Sequence, residues 1–198
     1  MRSLHIENPD ELYVWSDLHF YHKRILEYCP DRPWKNMEEM NQGLIDNWNS
    51  KVTNKDTIVI LGDFTFSQNE DEVNSILKKL NGKKHIIWGN HDYKLQKMDC
   101  AKRHFLSSND LLKIKVHDET KKQEIVCCHF AMKIWENSHR GTWHIFGHSH
   151  GSMPDDITSL SCDVGVDAKP WDHLPVSYHQ LKAFMATKQY KSIDHHGD

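Results

Sequence analysis

Apolar residues fall along the chain in short, dense runs separated by polar, turn-rich stretches. Runs rich in branched and aromatic residues at 12–15, 57–61, 85–88, 111–116, 124–128 and 143–146 predict buried strands, and 160–166 and 176–178 carry weaker versions of the pattern. Between the early runs the period changes. Met37, Met40, Leu44, Ile45 and Trp48 recur at helical spacing, as do Val73, Ile76, Leu77 and Leu80, after which Asn81-Gly82 reads as a helix stop. Strand and helix alternate through the first half, and strands dominate the second. That order predicts an α/β sandwich with helices outside and the later strands completing a second sheet. No repeat or Pro/Gly-rich linker interrupts it, so residues 1–190 read as a single domain and 191–198 as a polar tail.

The residues just past each strand carry the chemistry. The run at 12–15 leads into Ser16-Asp17-Leu18-His19, 57–61 into Gly62-Asp63, and 85–88 into Gly89-Asn90-His91-Asp92; 124–128 leads into His129 and 143–146 into Gly147-His148-Ser149-His150. Five predicted strands thus end in residues that bind metals. Ligands of open α/β sheets sit beyond the carboxyl ends of strands, so these ends are expected to converge on one site. Glycines at 62, 89 and 147 suit a backbone that turns sharply beside a ligand.

Composition sharpens the picture at three points. There are 16 histidines in 198 residues, which prompts a search for ligand clusters; His5, His104, His117, His173 and His179 stand singly and read as surface or packing residues. The five cysteines are odd in number and form no C-x-x-C pair, which predicts a reducing compartment, the cytoplasm. Neither a signal-like apolar segment nor a membrane-length run is present, and a formal net charge of −3 without a basic block gives no sign of non-specific nucleic-acid binding. Trp15, Trp48, Trp88, Trp135 and Trp143 read as core, and the adjacent Cys127 and Cys128 as buried thiols on opposite faces of a strand.

The five blocks, in this order, resemble the signature of the calcineurin-like metallophosphoesterase superfamily, over residues 17–150. The segments Ser16-Asp17-Leu18-His19-Phe20-Tyr21-His22 and Trp143-His144-Ile145-Phe146-Gly147-His148 are similar to small bacterial and phage phosphoesterases without an accessory domain. The resemblance implies a four-layer αββα sandwich, two mixed sheets flanked by helices. It also implies two divalent metal ions, one held by Asp17, His19 and His150, the other by Asn90, His129 and His148, with Asp63 bridging. Mixed nitrogen and oxygen donors suit Mn²⁺ first, and also Fe, Ni²⁺ or Zn²⁺. Asp17 and Asp63 remove two of the four positive charges of such a pair, leaving a surplus that attracts phosphate.

The implied reaction is in-line hydrolysis of a phosphate ester by a metal-bridging hydroxide. His91 is the candidate general acid, with Asp92 fixing its tautomer; Asp92 also suits a helix N-cap. His22 and Arg24, and further along His139 and Arg140, are candidate substrate contacts. A small nucleotide-type diester is the leading substrate, with a phosphomonoester or a dinucleoside polyphosphate as alternatives. Phe64-Thr65-Phe66-Ser67 comes after Gly62-Asp63 where protein phosphatases of the superfamily carry an arginine, which argues against that activity. A non-catalytic scaffold of the same fold is the rival from another class; such relatives have lost the histidine matching His91.

Overall fold

The computed structural model describes residues 1–119 and 122–193, so His195, His196 and the rest of the tail beyond residue 193 lie outside the described residues. The strands are β1 (Arg2–Ile6), β2 (Leu12–Trp15), β3 (Thr57–Ile60), β4 (Lys83–Ile87), β5 (Phe105–Asn109), β6 (Leu111–His117), β7 (Lys122–Cys128), β8 (Trp143–Phe146), β9 (Ser161–Asp163) and β10 (Val176–Ser177). The helices are α1 (Ile25–Tyr28), α2 (Met37–Lys51), α3 (Glu70–Lys79), α4 (Asp99–His104) and α5 (Tyr178–Ala186). They build two mixed sheets flanked by helices, ordered β1-β6-β7-β8-β9 and β10-β2-β3-β4-β5. In the second sheet β2 to β5 are parallel and β10 runs against β2; in the first only β6 and β7 are antiparallel.

Packing explains why the apolar runs read so clearly. One core lies between the sheets, where Leu12, Val14, Val59, Leu61 and Ile87 meet Ile114, Ile125, Cys127 and Ile145. A second lies between the outer face of β2–β5 and α2–α4, where Trp15, Ile58, Ile60 and Ile86 meet Met40, Leu44, Trp48, Val73 and Leu77. Strand β3 faces both cores and is buried at all its positions, which is why it reads as a continuous apolar run. The start of α2 is set by Asn36, whose side chain accepts the Glu39 amide at 2.8 Å, with Glu38 and Glu39 complementing the helix dipole. Helix α3 ends at Lys79, and Gly82, three residues on, takes a left-handed φ of +86°. The outer face of the first sheet is covered in part by the 130–142 segment, where Trp135 packs tilted against His144 and Lys113 binds Glu136 at 2.5 Å, and it is left open around β1.

Several expectations shift. The run at 160–166 holds only the short β9, and the run at 176–178 ends at Ser177, where a Ser177/Gln180 capping box starts α5. Strands β1 and β5 and helix α4 have no counterpart in the sequence pattern. Trp88 and Cys128 are half-buried rather than buried, whereas Cys127 is fully enclosed. All five cysteines are free thiols. No helix among the described residues is long and apolar enough to cross a membrane.

Candidate metal centre

Because β2, β3 and β4 are parallel, as are β7 and β8, the turns after them emerge at one end of the sandwich. These turns are tied to one another. The amides of Asp17, His19 and Phe20 donate to the carbonyls of Gly62, Asp63 and Phe64, and the Gly147 amide donates to the His129 carbonyl. At Gly62, φ is +96° and a Cβ would lie 2.6 Å from both the Gly89 backbone and the His129 ring, so only glycine fits. At Gly147 a Cβ would overlap the Ser16 hydroxyl and the Asp17 carboxylate.

The backbone of the ligand positions is unusual. Among the described residues, non-glycine positive φ angles occur at Asp17 (59°), His19 (54°), Asp63 (52°), His148 (66°) and His150 (49°), together with Tyr21, Asn137, Asp172 and His173. L-residues adopt this region only at an energetic cost, so the fold holds five candidate ligands where local preference would not.

The side chains converge as two groups. Donor atoms of Asp17, His19 and His150 lie within 4.8 Å of one another, as do those of Asp63, His129 and His148. Asp63 Oδ2 stands between the groups, 3.7 Å from His19 Nε2 and 3.5 Å from His129 Nε2. Asn90 Oδ1 is 3.0 Å from both His129 Nε2 and His148 Nδ1. All seven predicted ligands therefore meet at one place.

The donor set fits a pair of divalent cations. His19 Nε2 is buried and has no hydrogen-bond partner, although an orphaned buried polar atom is costly. Burial, together with the neighbouring His150 and Arg32 charges, holds His19 well below its usual pKa, leaving a neutral ring with a free lone pair. The His129 ring is oriented by Nδ1 donating to the Leu61 carbonyl at 2.6 Å, which turns Nε2 toward Asp63. His150 is oriented by Nδ1 donating to Asp167 at 2.6 Å. Such outer partners fix the tautomer of metal-binding histidines. Burial disfavours an ionised Asp63, but the hydrogen bond and charge of His129 and the His91 amide outweigh it and lower its pKa, so the carboxylate is ready to bind.

The remaining predicted site residues divide. The His91 ring is exposed, packs 4.6 Å from Phe66 and lies 5.8 Å from His19, while its amide donates to Asp63. Asp92 is fully buried beneath the turn and neither orients the His91 ring nor caps a helix: its oxygens accept the amides of Asp63, Phe64 and Gly89 at 2.8–2.9 Å. Burial raises Asp92 to about 7, and these amides pull against that rise. His22 and Arg24 line the cleft beside the ligands, a space of about 880 Å³. His139 and Arg140 do not line it. They precede β8, a strand parallel to β7, and so sit at the opposite end of the sheet, where Arg140 borders a hollow with Lys122 and Gln123.

Four residues of the site lie outside the predicted set. The buried Arg32 donates to the carbonyls of Asp17 and Leu18 and to both oxygens of Asp167, at 2.7–3.1 Å. Asp163 accepts the amides of Gly151 and Gly165. Phe66 stacks on His22 with ring centroids 3.6 Å apart. The acids at both ends of Asp163-Val164-Gly165-Val166-Asp167 are the available signal, hidden because the first falls inside the strand-like run at 160–166 and the second just past its end.

Comparison with known proteins agrees with this geometry. The family model for calcineurin-like phosphoesterases matches residues 12–168. The chain belongs to the calcineurin-like phosphoesterase family. The family is one of metal-dependent phosphoesterases, typically dinuclear. An uncharacterized protein of Methanocaldococcus jannaschii is 46% identical over 83 residues, 41% of this chain and 47% of that protein. The gene 66 protein of Mycobacterium phage L5 is 34% identical over 79 residues, 39% of this chain and 37% of the phage protein. The chain thus matches less than half the length of these curated relatives. A crystal structure of a protein of unknown function from Aquifex aeolicus shares the fold, with a TM-score of 0.64 and 22% identity, covering 87% of this chain and 98% of the other.

Proposed function

We propose that the chain is a cytoplasmic phosphodiesterase that hydrolyses a small nucleotide-type substrate with two divalent ions, Mn²⁺ first among them. The observation that carries this reading is the composition of the cleft beside the ligands. His19, His91, His148 and His150 line it together with Phe66, Tyr28 and Arg24. Tyr28 is 57% exposed, with the Arg24 guanidinium 5.0 Å from its ring centroid. Stacking on an exposed aromatic is worth about 1–3 kcal/mol per nucleobase, so a base has a platform next to the phosphate position. The five free thiols support a reducing compartment.

Asp17, His19 and His150 would hold one ion, Asn90, His129 and His148 the other, and Asp63 both. Bound there, the pair would supply Lewis acidity and a water acidic enough to deprotonate near neutral pH. The chain supplies the rest. His91, exposed at the mouth and free of ligand duty, gives a proton to the leaving oxygen. Asp92 gathers the amides of two turns and so keeps the His91 backbone against Asp63. His22 enters the cleft neutral, since burial and the charges of His91 and Arg32 lower it to about 4; its role is to brace Phe66 and the second nitrogen of His19, at 3.2 Å. Arg24 remains as the fixed positive charge for a non-reacting phosphate oxygen.

Chelation should abolish turnover and Mn²⁺ should restore it; full turnover after rigorous metal removal would overturn the proposal. A panel of cyclic, linear and polyphosphate nucleotides and monoesters then tests the substrate class, with preference for monoesters replacing the diester reading and no hydrolysis at all pointing to a scaffold. His91→Ala should retain its metal and lose about 10²–10⁴-fold in turnover of an unactivated ester, but much less with a p-nitrophenolate leaving group, which departs without a proton. Equal losses on both esters would assign His91 to charge stabilisation instead.

A further inference from the structure

A second cluster of metal donors lies away from the cleft, on the outer face of the first sheet. Along β1, alternation sends Ile6 into the core between the sheets and His5 outward. Strand β6 pairs with β1 in parallel, His5 with Lys115 and Ile6 with Val116, and just past the last pair His117 and Glu7 meet side chain to side chain. His5 on β1 and Glu7 just past its end thereby come near His117 at the end of β6. His117 Nδ1 is 3.1 Å from Glu7 Oε2, the His5 and His117 ring centroids are 6.4 Å apart, and one donor atom from each residue falls within 4.8 Å of the other two. All three side chains are exposed and free to close further. Tetrahedral zinc, with bonds near 2.0–2.1 Å, sets its ligand atoms roughly 3.3 Å apart, which these side chains reach by small rotations. Lys115, the cation on the same face, is drawn toward Glu124 of β7, 3.8 Å away.

We propose that His5, Glu7 and His117 form a surface site for a borderline transition metal ion of the Zn²⁺, Ni²⁺ or Co²⁺ class. Two imidazoles and a carboxylate favour these ions over Mg²⁺ or Ca²⁺, and three protein donors leave one position to water. The ion would clip strand β1 to β6. Among the described residues strand β1 is at the edge of its sheet, paired with β6, so a ligand bound across the two strands stabilises the folded chain by mass action. An exposed Glu7–His117 pair without metal contributes little by comparison.

The test uses the full chain with its dinuclear centre saturated with Mn²⁺, compared with a His5→Ala/His117→Ala double variant treated identically. Zn²⁺ is added to both, and bound equivalents, melting temperature and phosphoesterase activity are measured. The wild type should bind one more equivalent of Zn²⁺ than the variant and gain more in melting temperature, with equal activity before Zn²⁺ is added. Amide resonances of residues 2–7 and 112–117 should shift only in the wild type. Equal stoichiometry in the two proteins overturns the site. Glu7→Gln, which keeps the side-chain shape, should also lose the extra equivalent, and its retention at full affinity would overturn the three-donor assignment.

Discussion

The two halves of the candidate centre are built differently. Asp17 and His19 are buried, and with His150 they rest on a second layer: Arg32, whose side chain is wholly enclosed, joins the Asp17 backbone to Asp167, and Asp167 holds His150. In the other half, His129 has a buried anchor in the Leu61 carbonyl, but the exposed Asn90 and His148 side chains hydrogen-bond to fellow ligands, Asn90 touching the His129 and His148 rings. A ligand set fixed by outer partners meets an ion with little reorganisation, whereas exposed ligands must be ordered on binding. The first half is therefore expected to bind more tightly, and the second to be the one through which substrate adjusts the geometry.

Asp63 provides the harshest test, because it stands between the halves. Asp63→Ala should reduce turnover to background and lower metal content below that of Asp17→Ala or Asn90→Ala, as read by elemental analysis. Equal loss in all three would break the picture of a shared ligand. A smaller effect is expected one layer out. Asp167→Ala should weaken binding in the Asp17 half by about 10–100-fold and leave the other half unchanged, resolved by stepwise Mn²⁺ titration. Equal weakening of both steps would show that Arg32 and Asp167 support the centre as a whole.

The mildest test acts on neither half. His144 lies in β8 with Nδ1 donating to the Val126 carbonyl and Nε2 accepting the Met132 amide, and burial lowers it to about 4. For a base with a depressed folded pKa, the unfolded chain binds the extra proton. Stability should therefore fall as pH drops from about 6.5 through 4, by an amount on the order of 3 kcal/mol if the shift is fully expressed. Denaturant unfolding of wild type and His144→Asn across that range should show a flatter acid limb in the variant, with metal content unaffected at neutral pH.

The ligand positions are legible because they come directly after strands, and strands buried on one or both faces announce themselves through apolar runs. The second layer is not, since Arg32 sits in the irregular Cys29-Pro30-Asp31-Arg32-Pro33 stretch and meets Asp167 across 135 residues. Nearness in sequence to β8 suggests that His139 and Arg140 reach the cleft, yet the cleft lies at the far end of that strand. Helix α5 is hidden because Val176 to Tyr178 reads as one apolar run, although Ser177 and Gln180 mark a helix start. Strands β1 and β5, short edge strands rich in polar residues, carry too little apolar alternation to be seen alone.

The left-handed backbone at Asp17, His19, Asp63, His148 and His150 has a further consequence. Strain of this kind costs on the order of 1–3 kcal/mol per residue and persists because neighbouring structure enforces it. Glycine at any of these positions would relax the backbone while removing a donor, so Asp63→Gly should melt higher than Asp63→Ala although both are inactive. A lineage released from the need for activity would thus drift toward glycine and asparagine at these turns and become sturdier as it did so. Ligands that persist at such positions are a record of selection for chemistry over durability.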